Sequence, residues 1–261
     1  MAIVIKSAME IDLMRQAGRI AAGARSLARQ MIEPGVTTKA INKELFSFIK
    51  KSGAEPTFLG YCGYPASVCI SINDQVIHGI PGKRRIEEGD IVSIDVGATY
   101  KGFVGDCAGT FPCGKCSEEA LRLIAATRQS FFEGIKFAVA GNRISDISAG
   151  VQDYAEAQGY SVVRDYVGHG VGAKMHEDPE VPNYVSRDAS GKRVHTHRDP
   201  RLVPGMTIAV EPMVNAGGYD VKVFPDGWTV LTADGSLSAH YENSILITDG
   251  EPEILTMADD I

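Results

Sequence analysis

An α+β fold made of two similar halves is what this sequence predicts, and three features predict it. Two helical stretches followed by short strands occur once before residue 112 and once after it. His78-Gly79-Ile80 precedes Gly89-Asp90-Ile91-Val92-Ser93-Ile94-Asp95, and His169-Gly170-Val171 precedes Gly205-Met206-Thr207-Ile208-Ala209-Val210-Glu211. Each half therefore carries a His-Gly-aliphatic unit and then a Gly six residues ahead of an acid. A second acid follows in each half, Asp106 after Asp95 and Glu242 after Glu211. Repetition of both element order and acids implies a duplication about a pseudo-two-fold axis, with halves of roughly 1–112 and 113–261. No linker is long enough to separate them, so residues 1–261 read as one domain.

The elements follow in order. Ser7 and Glu10 have capping-box spacing, and Met14, Ala17, Ala21, Ala24, Leu27 and Met31 then recur at helical intervals until Pro34-Gly35 stops the run. Thr38 can cap a second helix that aligns Ile41, Leu45, Phe48 and Ile49 and ends before Gly53. Val68 to Ile72, Ile91 to Val96 and Phe103 to Thr110 are short, rich in β-branched or aromatic residues, and bounded by turn formers, so they read as strands. A third helix is expected after Ser117, and a fourth after Ser145, ending before Gly159. Strands return at Met206 to Glu211, Trp228 to Thr232 and Ala239 to Ile247.

Composition narrows the function. The chain has 261 residues, 44% of them hydrophobic and 23% charged, which suits a globular protein with a sizeable core and excludes a disordered or fibrous one. Lys and Arg number 26 against 33 Asp and Glu, so the net charge of −7 repels DNA and anionic membranes. No apolar run approaches a membrane span, and Met1 to Glu10 lacks a signal-peptide pattern. Five cysteines, an odd number on a chain that needs no staples, argue for free thiols and a cytoplasmic setting.

The chemistry lies in the acids. Period two places Ile91, Ser93 and Asp95 on one strand face. If Lys101-Gly102 is a hairpin turn, residues whose numbers sum to 203 stand opposite, so Gly97 faces Asp106 and Asp95 faces Ala108. The two aspartates then share a face at about 7 to 8 Å between Cα atoms, close enough to hold one cation and repulsive without it. Glu211 and Glu242 are likewise acids in apolar strands. Four carboxylates and an imidazole form a hard donor set suited to Mn, Fe, Co or Zn, and two divalent ions would balance the four charges.

Competing motifs fail. The chain has no His-Glu-x-x-His, no Gly-x-Ser-x-Gly and no Walker loop. Gly168, Gly170, Gly172 and Ala173 fit the dinucleotide spacing, but His169 interrupts the loop, and Asp178, Pro179 and Pro182 prevent the helix that should follow. Cys113-Gly114-Lys115-Cys116 offers only two of the thiolates a structural zinc needs and reads as an exposed turn.

The run Gly60-Tyr-Cys-Gly-Tyr-Pro-Ala-Ser-Val-Cys-Ile-Ser-Ile-Asn-Asp-Gln-Val-Ile-His-Gly-Ile-Pro-Gly82, Gly168 to His176, and Pro204 to Met213 closely resemble type I methionine aminopeptidases over nearly the whole chain. The resemblance implies a pita-bread fold around a dinuclear metal centre, with removal of the initiator methionine from nascent N-termini ahead of a small second residue. It implies Asp95, Asp106, His169, Glu211 and Glu242 as metal ligands, with Asp106 and Glu242 bridging and Glu211 also moving a proton. His78 and His176 would contact the substrate and the transition state. The methionine pocket would map onto Phe58, Tyr61, Tyr64, Cys69, Met175 and Trp228. The partners expected are the N-termini of nascent polypeptides, and the chain is expected to act as a monomer.

Three positions and one insertion depart from the family pattern. Met175 stands where Phe is usual, Cys62 where His is commoner, and His240 where Gln is usual, two residues before Glu242 on what would be the same strand face. Residues 188–201 form an insertion; within Arg187 to Arg201, five bases against two acids give +3, which reads as a solvated loop or, alternatively, a surface for transient ribosome contact, and His195 and His197 could trap stray metal. Two other readings are an Xaa-Pro aminopeptidase on the same fold, which does not usually carry the Gly60–Gly82 run, and a non-catalytic relative, which typically loses ligands.

Overall fold

The computed structural model describes residues 2–194 and 198–257. Helix α1 spans Ala8–Met31 behind the expected capping box, with Ser7 N donating to Glu10 Oε2 at 2.7 Å. Helix α2 covers Thr38–Lys51, but its cap is Thr37, whose Oγ1 accepts from Ala40 N; the Thr38 hydroxyl instead binds the Gly82 backbone. Helix α3, Glu118–Ile135, begins behind Ser117. Helix α4, Ile144–Ala157, starts before rather than after Ser145, because Asp146 accepts from Arg143 N and Asp199 accepts from Ser145 N and Oγ.

Strands β1 (Cys69–Ile72), β2 (Ile91–Tyr100), β3 (Phe103–Pro112) and β6 (Thr207–Val210) come from predicted segments, whereas β4 (Gly168–Gly170) and β5 (Glu177–Val181) form where no strand was expected. The stretch expected as one strand from Ala239 to Ile247 breaks at Tyr241. Its first part, β8 (Ser238–His240), leaves to pair with β7 (Met213–Asn215), and β9 (Glu242–Leu246) stays in the main sheet. That sheet is antiparallel at every pairing and runs β2-β3-β9-β6-β4-β5, with β1 on the outer edge of β2.

Two like halves thus meet at the β3·β9 pair, each with two helices ahead of its strands. The His-Gly echo between halves is not a positional equivalence. His169 lies in β4, directly beside β6, whereas the strand flanking β2 carries Cys69, and His78 sits beyond it at φ 59°. Alternate residues sort the faces. Ile94, Val96, Ala98 and Cys107 pack with Ala21, Ala24 and Leu45 of the helices, and Ile208, Val210 and Ile245 pack with Phe131 and Ile147, which leaves the intervening residues for the other face.

Helix α1 lies against β3 with little between the backbones. A Cβ on Gly105 would stand 2.4 Å from Gly18 N. Gly105→Ala should therefore destabilise the fold by more than about 2 kcal/mol, because a helix backbone cannot give way as a side-chain tip can. Urea unfolding of the two proteins measures this; a change within about 0.5 kcal/mol would mean that the helix can lift off the sheet.

Candidate metal centre

The hairpin register is the one the Lys101-Gly102 turn predicts: Asp95 faces Ala108 and Gly97 faces Asp106, with both turn residues at positive φ (47° and 85°). Ala108 has Glu242 opposite it on its other side, so Asp95 and Glu242 project from the same face, and Asp106, two residues along β3, joins them. Val210 opposite Asn243 and Met213 opposite His240 bracket Glu211 and place it beside Glu242. Gly170 opposite Ile208 puts His169 next to Ala209, on the face of Glu211. Five strands thereby bring four carboxylates and one imidazole from distant parts of the chain to one spot.

Their geometry suits a cation. His169 Nε2 lies 3.5 Å from Glu211 Oε1 and 3.7 Å from Asp106 Oδ2. His169 Nδ1 is 2.9 Å from the Gly170 carbonyl; with the proton on Nδ1, the Nε2 lone pair faces the acids. One ligand atom each from Asp106, His169 and Glu242 lie within 4.8 Å of one another. Asp95 Oδ1, Asp106 Oδ1 and Glu242 Oε1 are buried without any hydrogen-bond partner, as expected of oxygens whose partner is a metal. Burial first, then neighbouring carboxylates, push the carboxyls of Asp95, Glu211 and Glu242 well above their usual range, and burial lifts Asp106 to about 7. Burial, and after it the neighbouring His176, depresses His169 to about 3 and His78 to about 4, so both rings stay neutral and able to ligate or donate.

Above the acids opens a cavity of about 300 Å³. Every residue expected at the site lines it: Phe58, Tyr61, Tyr64, Cys69, His78, Asp95, Asp106, His169, Met175, His176, Glu211, Trp228 and Glu242. Cys69 faces Asp95 across β1·β2, so the apolar wall begins one strand from the acids. Gly97 leaves room for Phe58, whose ring a Cβ there would meet at 2.5 Å. Tyr64 and Trp228 stand edge to face at 5.1 Å, and Tyr61 Oη is 2.7 Å from His176 Nδ1 at the rim. Met175 is buried in the wall. Met175→Phe should raise the ratio of kcat/KM for Met- over Leu-starting peptides by up to about tenfold, since a stiffer wall rejects a branched side chain. An unchanged ratio would remove Met175 from side-chain selection.

Some residues of this site escaped the sequence reading. Tyr166 packs edge-on to His78 at 5.8 Å, and Ile77 and Val167 also line the cavity; only their adjacency to His78 and His169 could have signalled them. Lys6 and Glu177 form a buried pair at 2.6 Å that fixes the turn carrying His176, a contact between positions 171 residues apart. His240 lies in a different strand from Glu242, yet its Nε2 is 3.9 Å from Glu242 Oε2 and has no hydrogen-bond partner. The Cys113–Cys116 turn is exposed only at Gly114 and Lys115; its thiols turn inward, with Cys113 fully buried and Cys116 Sγ donating to Asp90 O. His195 and His197 lie outside the described residues.

A buried carboxylate and imidazole cluster beneath an apolar pocket defines a metal-dependent hydrolase for a substrate with an apolar side chain. Residues 12–249 match the family model of metallopeptidase family M24, and the chain belongs to that family. It is 53% identical over 258 residues to a methionine aminopeptidase of Clostridium acetobutylicum, covering 98% of this chain and 100% of the relative. It is 45% identical to methionine aminopeptidase 1 of Bacillus subtilis, covering 97% and 99%. The crystal structure of a Thermotoga maritima methionine aminopeptidase superposes with a TM-score of 0.92 at 43% identity over 98% of this chain and all of that one. A prolidase from Pyrococcus furiosus, at 23% identity and TM-score 0.77, shares the fold alone. The fold is thus the pita-bread fold that the motifs implied.

Proposed function

We propose that this chain removes the initiator methionine from the N-termini of nascent polypeptides, preferring a small second residue, with Asp95, Asp106, His169, Glu211 and Glu242 holding two divalent ions. The two halves, 1–112 and 113–261, act as one catalytic domain. The carrying observation is the continuity of the apolar pocket with the acid cluster through Cys69 and Asp95. Mn, Fe, Co and Zn all suit the donor set. When bound, such ions supply Lewis acidity toward water and the scissile carbonyl.

The chain's own groups do the rest. Phe58, Tyr64, Cys69, Met175 and Trp228 desolvate an unbranched thioether side chain and so place the following peptide bond over the acids. Glu211, whose carboxyl holds a proton more readily than usual, takes one from the attacking water and returns it to the leaving amine. Tyr61 donates its phenol proton to His176 Nδ1, which leaves the His176 proton on Nε2, aimed at the developing oxyanion. His78, held by Tyr166 and Trp228, contacts the substrate from the opposite wall.

The discriminating assay sets a Met-Gly-x peptide beside an x-Pro peptide, with metal content measured on the same sample. Cleavage of the first only is expected; preference for x-Pro would transfer the chain to the prolidase-like reading, and no cleavage of either with metal bound to the non-catalytic one.

The setting proposed is a cytoplasmic monomer. Five unpaired cysteines accord with a reducing compartment, and no helix of the described residues is long and apolar enough to cross a membrane. Ribosome contact through residues 187–201 has less behind it, because Arg187 and Arg193 pair with Asp153 and Asp146 of α4 and their charge is thereby offset.

A further inference from the structure

A second cavity of about 410 Å³ lies on the opposite, helix-covered side of the sheet, between α1 and α3. Arg25 and Arg29 of α1 and Arg128 of α3 line it, and no carboxylate does. Among the described residues none of the three arginines forms an ion pair, an unusual concentration of +3 in a chain whose net charge is −7. Arg25 is 1% exposed. Its Nη atoms donate to Ala108 O, Glu242 O, Asn243 Oδ1 and Thr256 O, and its Nε has no partner. The hydroxyl of Tyr241, which also lines the cavity, is buried and unpartnered too. Arg29 stands 5.9 Å over the Phe111 ring, and Arg128 stands 4.8 Å over Phe132 and 5.9 Å over Tyr241. Stacking of that kind fixes a guanidinium plane while leaving its N–H edges to bind, the arrangement in which arginine takes an oxyanion by paired hydrogen bonds.

We infer that this cavity is an anion site for a phosphate-bearing small molecule, distinct from the pocket over the metal centre and adjoining it at His240, which lines the cavity and has its Nε2 3.9 Å from Glu242 Oε2. Phosphate suits it better than a carboxylate because cations from two helices converge on one space, and a phosphoryl group offers three acceptor oxygens to a carboxylate's two. The site is coupled to the metal centre by Arg25, which holds the backbone carbonyls of Ala108 and Glu242, one residue between the acids and the other an acid itself.

Calorimetric titration of the metal-loaded enzyme with inorganic phosphate, at matched ionic strength in chloride, tests the site. Binding is expected at sub-millimolar to millimolar concentration, unchanged in Asp106→Asn, and weakened at least about tenfold in Arg29→Gln/Arg128→Gln. Both substitutions in the second variant sit away from the metal centre; should that variant melt early, Arg29→Lys/Arg128→Lys keeps the charge without the fork and is expected to bind more weakly than wild type. No binding, binding lost in Asp106→Asn, or binding indifferent to the arginines would overturn the site. Acetate binding more tightly than phosphate would overturn the assignment of ligand class.

Discussion

His169→Ala is expected to lose metal on dialysis and to become dependent on added metal, whereas His176→Ala should keep its metal and lose kcat by roughly 10² to 10³. The two imidazoles are stacked edge to face with centroids 4.2 Å apart, so proximity does not distinguish them. Their hydrogen bonds do. His169 Nδ1 sits 2.9 Å from the Gly170 carbonyl and its Nε2 is turned to Asp106 and Glu211, a ligand's posture. His176 Nδ1 lies 2.7 Å from Tyr61 Oη, and with the phenol as donor the His176 proton sits on Nε2, free to donate. Tyr61→Phe supplies the control: it should lower kcat without altering metal content, because it releases His176 Nδ1 while keeping the ring that lines the cavity. Metal content after dialysis and single-turnover rate on each variant decide the matter. Equal metal loss in both histidine variants would mean that His176 is also a ligand.

What the sequence discloses of this site and what it hides follow from the range of the interactions. The Asp95 and Asp106 pairing was legible because a two-residue turn at Lys101-Gly102 fixes the register of the whole hairpin. The capping residues of α1 and α3 were legible for the same local reason. Alignment of Glu211 with Glu242, by contrast, depends on β6 and β9 meeting across some thirty residues of intervening chain, and no periodicity encodes that. The break at Tyr241 was hidden because apolar residues run through it; what ends the strand is the departure of β8 to pair with Met213. The likeness of His78-Gly79 to His169-Gly170 misled in the same way, since identical dipeptides sit at different distances from their sheet. Burial of Cys113 under α1 and α2, and the pairing of Arg187 and Arg193 with α4, are likewise set by partners far along the chain.

Stripped of metal by a chelator, the enzyme should lose stability as pH rises from about 6.5 to 8, the reverse of ordinary acid denaturation. The carboxyls of Asp95, Asp106, Glu211 and Glu242 are raised in the native state by burial and, for Asp95, Glu211 and Glu242, next by the Asp106 carboxylate, so the native state holds protons that the unfolded chain has released above about pH 4. Stability then falls with rising pH across that interval, by about 1.4 kcal/mol per pH unit for each proton the native state retains. The buried histidines act oppositely. His78, His169 and His240 are depressed to between about 3 and 4, so the unfolded chain holds the extra protons, and stability rises with pH until the unfolded imidazoles have titrated near 6.5. Below 6.5 the two sets offset each other; above it the carboxyls act alone, until unfolded thiols enter near 8.5. Bound cations remove the effect by making the ionised carboxylates the stable form, so the metal-loaded enzyme should show little slope and a higher Tm throughout. Asp106→Asn takes one charge out of the cluster. It should melt above the chelated wild type at pH 8, with a shallower slope, while having lost most of its gain from added metal. Thermal melts across this range, with and without chelator, for both proteins provide the test; a chelated wild type whose Tm is flat or rising from 6.5 to 8 would mean that the folded chain does not hold these carboxyls protonated.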